Sequence, residues 1–419
     1  MLNRSRALTA LTAIAAVLSI PQVAHATDGY FVNGMGAKAK GAGGVAIAMA
    51  EDAVAIAANP AAAVELGNRF DIGFEVFVPK RGAEISNSAA FDGEWSGNGA
   101  NPFVLPELAY VRQLNDTFAA GIVINGNGGM NTKYERNPFG PDAGFGPAGV
   151  NLRQIFITPT LAARLGEGHS IGISPIVMLQ SFSMTGIQPF TQFPDLSVAP
   201  NKMTNQGDDW STGAGLRVGY LGHLGSAVSF GAFYQTKVWA KPFESYAGLF
   251  ANGGDFDVPA SWGGGISVKA TDKLTLGADY KRIEYSGVAS VGNPLAINLP
   301  FGADGGPGFG WQDIDVVKFG AVYQANDKLT VRAGYGRSDN PVPGSEAFLN
   351  LLAPGVVTDH FTAGATVKLN SKLELSGYVM HAPRQEVRGA NAIPDSFGGG
   401  NVNIHLSETA TGLSLGFLF

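Results

Sequence analysis

Two stretches of this chain spell familiar catalytic patterns, and neither sits where its chemistry would work. Gly412-Leu413-Ser414-Leu415-Gly416 has the G-x-S-x-G spacing that lifts a nucleophilic serine on a sharp turn. Here it lies in an alternating stretch, with no later chain to supply the acid and the histidine that follow such a serine. Gly144-Phe145-Gly146-Pro147-Ala148-Gly149 fits G-x-G-x-x-G, but Pro147 interrupts it and no helix follows to offer amide groups to a phosphate. The six histidines lack paired metal spacing. Asp255/Asp257 and Asp313/Asp315 place carboxylates two apart, a pattern that could meet a divalent cation bridging lipopolysaccharide or simply be solvated loop charge. The chain is expected to be no enzyme and to need no cofactor or metal.

A third group of charges is more informative. Arg164, Arg217, Lys237, Lys318, Arg332 and Lys368 fall on the charged rather than the apolar face of their own alternating stretches, as do Glu107, Asp279 and Glu374. Most should pair across neighbouring strands. One or two are expected to be left for a ligand carboxylate, with Arg217 and Lys318 the leading candidates.

The elements that must position these groups begin with an export signal. Arg4 and Arg6 precede the apolar run Ala7 to Ile20, and Ala24-His25-Ala26 follows, so residues 1–26 read as a cleaved signal peptide. The run is too short for a spanning helix, and nothing later offers 18 consecutive apolar residues. With charged residues at 15% and 58 glycines, the chain is either soluble or a barrel. No cysteine is present, which removes a disulfide scaffold. A net charge of −6 argues against a nucleic-acid partner.

Residues 27–68 are rich in Ala and Gly and read as short helices and turns, with a helix-favouring stretch from Ala46 to Ala58 ended or restarted by Pro60. From Arg69 the period becomes two: Phe70, Ile72, Phe74, Val76 and Val78 oppose Asp71, Gly73 and Glu75. About 14 such segments follow to residue 419, starting near 69, 103, 117, 151, 168, 209, 226, 258, 272, 311, 327, 357, 371 and 404. Tight polar turns such as Asn115-Asp116-Thr117 and Asn370-Ser371-Lys372 alternate with long Gly/Pro-rich links. An even-stranded outer-membrane barrel segregates its loops in this way, with short periplasmic turns and long external loops, whereas a soluble β-sandwich has no reason to. Charges fall on the opposite face, the lumen. Tyr110, Tyr220, Tyr234, Tyr280, Tyr323 and Tyr335 on the apolar face suggest an aromatic girdle. The predicted fold is therefore an all-β transmembrane barrel of about 14 antiparallel strands (69–419) around an N-terminal helical hatch (27–68), in the outer membrane of a Gram-negative bacterium.

Asp28-Gly29-Tyr30-Phe31-Val32-Asn33-Gly34-Met35-Gly36, Gly43-Gly44-Val45-Ala46 and Asn59-Pro60-Ala61 resemble the FadL family of outer-membrane transporters for long-chain fatty acids and hydrocarbons. The resemblance continues through Pro106-Glu107-Leu108-Ala109-Tyr110-Val111 and Asp257-Val258-Pro259-Ala260-Ser261-Trp262 to Phe419, over the whole mature chain. It implies a plugged 14-stranded barrel, with Asn59, Pro60 and Ala61 as the hatch motif. It also implies capture of ligand among external loops, a lumenal pocket near the mature N-terminus and sideways release at a kink of the third strand. The kink maps to Asn125-Gly126-Asn127-Gly128-Gly129, where many members have a Pro-Phe-Gly-like step. A terminal Phe resembles the signal read by the outer-membrane assembly machinery.

The long links carry apolar stretches that suit ligand capture: 139–150, Phe243 to Phe256 with Tyr246, Leu249 and Phe250, Leu295 to Phe301, and Phe348 to Leu352. The expected function is transport of a hydrophobic small molecule, a fatty acid, alkane or aromatic hydrocarbon, by a monomer exchanging it with outer-membrane lipid and lipopolysaccharide. The alternative is a porin for polar solutes or a structural or adhesin barrel, neither of which explains the Ala/Gly block.

Overall fold

The computed structural model describes residues 28–140, 144–193 and 195–419. The expected signal peptide lies outside the described residues. No described helix is long and apolar enough to cross a membrane.

Fourteen strands form the wall: β1 (Arg69–Ser86), β2 (Phe103–Gln113), β3 (Phe118–Asn131), β4 (Gly149–Arg164), β5 (His169–Thr185), β6 (Asp209–Leu224) and β7 (Val228–Gln235). They continue with β8 (Ser261–Lys269), β9 (Leu274–Ile283), β10 (Ile314–Gln324), β11 (Leu329–Ser338), β12 (Asp359–Lys368), β13 (Leu373–Gly389) and β14 (Asn401–Leu418). Each pairs antiparallel with its sequence neighbours, and β14 returns to β1 in a register running from Arg69↔Leu418 to Ser86↔Asn401. That closure leaves no sheet edge around most of the circumference, as a chain in hydrocarbon requires. The expected 14-stranded barrel is the observed one, and every strand begins within three residues of the position read from the sequence.

The period-two pattern sorts the faces. On β1, Ile72 and Phe74 are 44% and 47% exposed, whereas Asp71 and Glu75 are 1% and 6%. Apolar side chains thus face lipid and charges face the lumen, the inverse of a soluble core. Tyr234, Tyr280 and Tyr323 point outward near strand ends, and the Phe419 ring stacks on Tyr110 at 6.0 Å.

At one end the links are three or four residues long: 114–117, 165–168, 225–227, 270–273, 325–328 and 369–372. Their composition explains their shape. Asn115 and Asn326 each accept the backbone N–H groups two and three residues on, Asn370 does so two residues on, and each thereby closes a turn with its own side chain. The long links at the other end fold over one another into an apolar cap.

Residues 28–68 run through the lumen and are almost wholly buried. Their helical content is smaller than the alanine count suggests. A short α-helix, α1, spans Ala37–Gly41, and 3₁₀ turns cover Ala53–Ala57 and Pro60–Val64, but Ala46 to Asp52 is not helical. The wall holds this stretch directly, Asp279 on β9 accepting the amides of Ala46 and Ile47, and Asn59 donates to the Ile47 carbonyl. Asp52 and Asn59 cap the two 3₁₀ turns by accepting from Ala55 and Ala61.

Candidate functional site

The lumenal segment is fixed to the wall by charge. Asp28 pairs with Lys281 at 2.8 Å and Lys318 at 2.9 Å; Lys38 pairs with Glu374 at 2.6 Å, Lys40 with Glu75 at 2.5 Å and Glu51 with Arg332 at 2.7 Å. Burial alone would raise the Asp28 carboxyl, but the two lysines outweigh it and hold the group well below the usual carboxylate range. Asn59 donates to the carbonyls of Ile47 (2.8 Å) and Tyr220 (2.9 Å), joining two turns of the segment to β6. Pro60 then lies so close to the wall that a Cβ on Gly172 would sit 2.3 Å from its carbonyl carbon, and one on Gly219 would sit 2.1 Å from Asn59 Oδ1. Glycine is required at Gly172 by the approach of another backbone, and at Gly219 by the Asn59 side chain and the Pro60 ring.

Between this segment and strands β6 to β10 lies a small cavity of about 70 Å³, lined by Phe31, Asn127, Arg217, Phe233, Lys281 and Lys318 among others. It brings together both candidate cations and a residue of the Asn125–Gly129 run. The two cations differ. Lys318 is occupied, donating to Asp28 and to the Asn33 carbonyl. Arg217 lies over the Phe233 ring at 5.5 Å and donates to Gln235, its Nε has no partner, and among the described residues no carboxylate lies within 4 Å of it. A buried guanidinium without a counter-charge is costly, and an anion entering the cavity would relieve that cost. Of the other inward cations expected from parity, Arg332 pairs with Glu51, while Arg164, Lys237 and Lys368 lie at or beyond strand ends.

The wall is interrupted beside this cavity. β2 and β3 pair only from Gln113↔Ala119 to Glu107↔Asn125. Beyond Asn125, β3 stays with β4 through a register shift between Gly126 and Gly128, and it no longer pairs with β2. The extra residue is Asn127, whose side chain turns inward to Gln154. The edge that β2 leaves is taken by the lumenal segment: Val32 N–H donates to the Asn127 carbonyl and Gly129 N–H to the Tyr30 carbonyl, at 3.3 and 3.0 Å. Gly128 must be glycine, because a Cβ would fall 2.2 Å from the Tyr30 carbonyl oxygen.

Phe243, Tyr246, Leu249 and Phe250 are buried inside the cap, where Phe250 packs edge to face on Phe182 with ring centres 4.6 Å apart. Leu249 also lines a small, wholly apolar cap cavity of about 40 Å³ with Phe139, Phe190, Phe301, Phe348 and Phe397. Phe190 and Phe397 belong to links that sequence reading did not single out; isolated aromatics in Gly/Pro-rich stretches carry no periodic signal. No group of three or more His, Asp or Glu suited to a metal occurs among the described residues.

No curated protein matches the chain. Among solved structures it is similar to the P. putida toluene transporter TodX, at 18% identity and a TM-score of 0.69 over 92% of this chain and 99% of that one. It is also similar to a Pseudomonas aeruginosa FadL homologue (16% identity, TM-score 0.68, 93% and 99% covered). A third is the Ralstonia pickettii toluene transporter TbuX (19% identity, TM-score 0.65, 92% and 99% covered). At these identities the likeness concerns the fold. The model of the outer membrane protein transport protein family (OMPP1/FadL/TodX) matches residues 19–418, so the chain belongs to that family and is an outer-membrane β-barrel of the transport type.

Proposed function

We propose that this protein carries hydrophobic small molecules, long-chain fatty acids or related hydrocarbons, across the outer membrane. The observation that carries the reading is the unpaired stretch between β2 and β3 next to a lumenal cavity. In hydrocarbon an unmade backbone ladder is expensive, so a wall that omits one needs a reason. A molecule that must end in lipid supplies it: leaving sideways keeps its apolar surface out of water, at about 25 cal/mol per Å².

In this reading the apolar cap cavity captures the ligand and the lumenal cavity holds it, with Arg217 rather than Lys318 as the cation available to a carboxylate. Tyr30–Val32 withdraws from the β3 edge at Asn125–Gly129 to release it. Residues 27–68, with Asn59, Pro60 and Ala61 at their tightest contact, act as a hatch against water, after removal of a signal peptide at 1–26. Outer-membrane lipid receives the ligand, Phe419 serves the assembly machinery, and the barrel works as a monomer. The toluene transporters among the structural relatives are compatible with an apolar ligand, and the family is one of transport proteins. The test is paired: planar-bilayer conductance of the purified protein, and uptake of a long-chain acid and of an aromatic hydrocarbon by cells making it. Low conductance with uptake of either compound supports the reading. A large steady conductance without uptake would make the protein a porin.

A further inference from the structure

The gap between β2 and β3 has a lower and an upper end. Its lower end is the last ladder pair, Glu107↔Asn125. Its upper end is backbone again: Gly99 N–H donates to the Lys133 carbonyl and Lys133 N–H to the Gly97 carbonyl, both at 3.0 Å. At about 3.3 Å per residue, the free stretch of β3 between them is roughly 20 Å long.

Just below that upper closure a row of side chains crosses the gap. Arg81 on β1 is 3% exposed and reaches over the Phe103 ring, 5.5 Å from its centre. One terminal nitrogen donates to the Pro79 carbonyl at 3.1 Å and Asn101 Oδ1 at 2.9 Å, and the other donates to Asn131 Oδ1 at 2.9 Å. Asn101 donates back to the Pro79 carbonyl at 2.5 Å, and Asn131 donates to Asn151 on β4 at 3.2 Å. The row therefore ties β1 to β4 over the top of β2, where the β2–β3 backbone ladder is missing. It also bounds an inner cavity whose lining includes Phe77, Met130, Trp311 and Leu406.

We propose that Arg81, with Asn101 and Asn131, is the upper jamb of the lateral window and sets the girth of the molecule that passes; this rests on lateral release as the exit route. A guanidinium suits the task because its planar fork holds two amide oxygens on opposite sides of the gap at once, which a lysine point charge does not do. Cutting the strap lengthens the opening toward Lys133 without touching the ladder below Asn125.

The experiment uses the full-length protein in cells, with Arg81→Met, Arg81→Lys and Asn131→Ala, and follows uptake of a linear long-chain acid against a bulky polycyclic hydrocarbon. Heat-modifiable migration on gels confirms insertion of each variant. A control carries Leu105→Cys with Met130→Cys, joined across the window by a reducible thiol bridge; the chain has no other cysteine. The expected result is a several-fold rise in the bulky-to-linear uptake ratio in Arg81→Met and Asn131→Ala, a smaller rise in Arg81→Lys, and loss of uptake in the bridged control until reductant is added. Loss of fold would lower both ligands together and leave the ratio unmoved. An unchanged ratio in inserted variants, with the bridge still blocking uptake, would overturn the jamb and leave lateral release standing. Uptake unaffected by the bridge would overturn both.

Discussion

Two seams of the same barrel are built in opposite ways. Where β1 meets β14 the ladder runs unbroken from Arg69↔Leu418 to Ser86↔Asn401, whereas β2 and β3 share a ladder only between Gln113↔Ala119 and Glu107↔Asn125. The first seam joins residues furthest apart in the chain and is complete; the second joins a hairpin and is not. Sequence distance therefore does not explain the gap. The difference lies in Asn125-Gly126-Asn127-Gly128-Gly129, where an extra residue shifts the β3–β4 register and lets the lumenal segment take the free edge. A barrel wall can omit hydrogen bonds in lipid only if something else satisfies the groups, and on the β3 side Tyr30–Val32 does so.

The largest effect that would sharpen the contrast is removal of the segment that covers the incomplete seam. Deleting residues 28–62 takes away Asp28, Lys38, Lys40 and Glu51, each paired to the wall, while the complete β1–β14 seam is untouched. The barrel should still insert and show heat-modifiable migration, with a large steady conductance and poor uptake. A closed channel after the deletion would count against a hatch.

Next in size is Arg217→Gln. Losing a charge-assisted bond of roughly 1.5–3 kcal/mol should cut uptake of a long-chain acid about tenfold or more while sparing the corresponding alcohol. Equal uptake of acid and alcohol by the unmodified protein would remove this role and favour a hydrocarbon ligand. Lys318→Gln is expected to act differently, since Lys318 holds Asp28: both ligands should be affected and leakage should rise.

Asn59→Ala should be milder. It removes bonds to Ile47, Tyr220 and Ala61, about 1–3 kcal/mol for the groups left unpaired, and brief openings should become more frequent in single-channel records. Records as quiet as those of the unmodified protein would show that Pro60 packing suffices alone.

The smallest effect is a pH dependence. Burial first, and the Asp71 carboxylate second, push the Asp52 carboxyl up to about 7. A carboxyl raised above its free value of about 4 favours the packed state when protonated, so its contribution is full below that free value and lost as pH rises through about 7. Openings should increase between about pH 6 and 8, and Asp52→Asn, which keeps the cap, should flatten that profile. A profile unchanged by the substitution would exclude Asp52 as its source.

How far this was legible in the sequence follows from what is local. Strand positions were, because period two and the alternation of link lengths are properties of neighbouring residues. The register shift in β3 falls in the run of three glycines and two asparagines that the sequence marks out. The α1 turn and the non-helical Ala46 to Asp52 were not legible, since both are held by wall residues more than 200 positions away, Thr362 at the end of α1 and Asp279 at Ala46 and Ile47. For the same reason parity could place Lys318 and Arg217 inside, but not show that Asp28 occupies the first and that no carboxylate among the described residues pairs with the second. Arg81 carries no local signal in the sequence; only closure of the barrel brings Asn131 to it.

The most direct measurement concerns the incomplete seam itself. Leu105→Cys and Met130→Cys on the otherwise cysteine-free chain can be joined by thiol bridges of increasing length, with uptake of a long-chain acid measured before and after reduction. Lateral release predicts block by the shortest bridges, graded recovery as the bridge lengthens, and full recovery on reduction. Uptake at the unmodified rate with the shortest bridge in place would contradict it and send the ligand out through the periplasmic end.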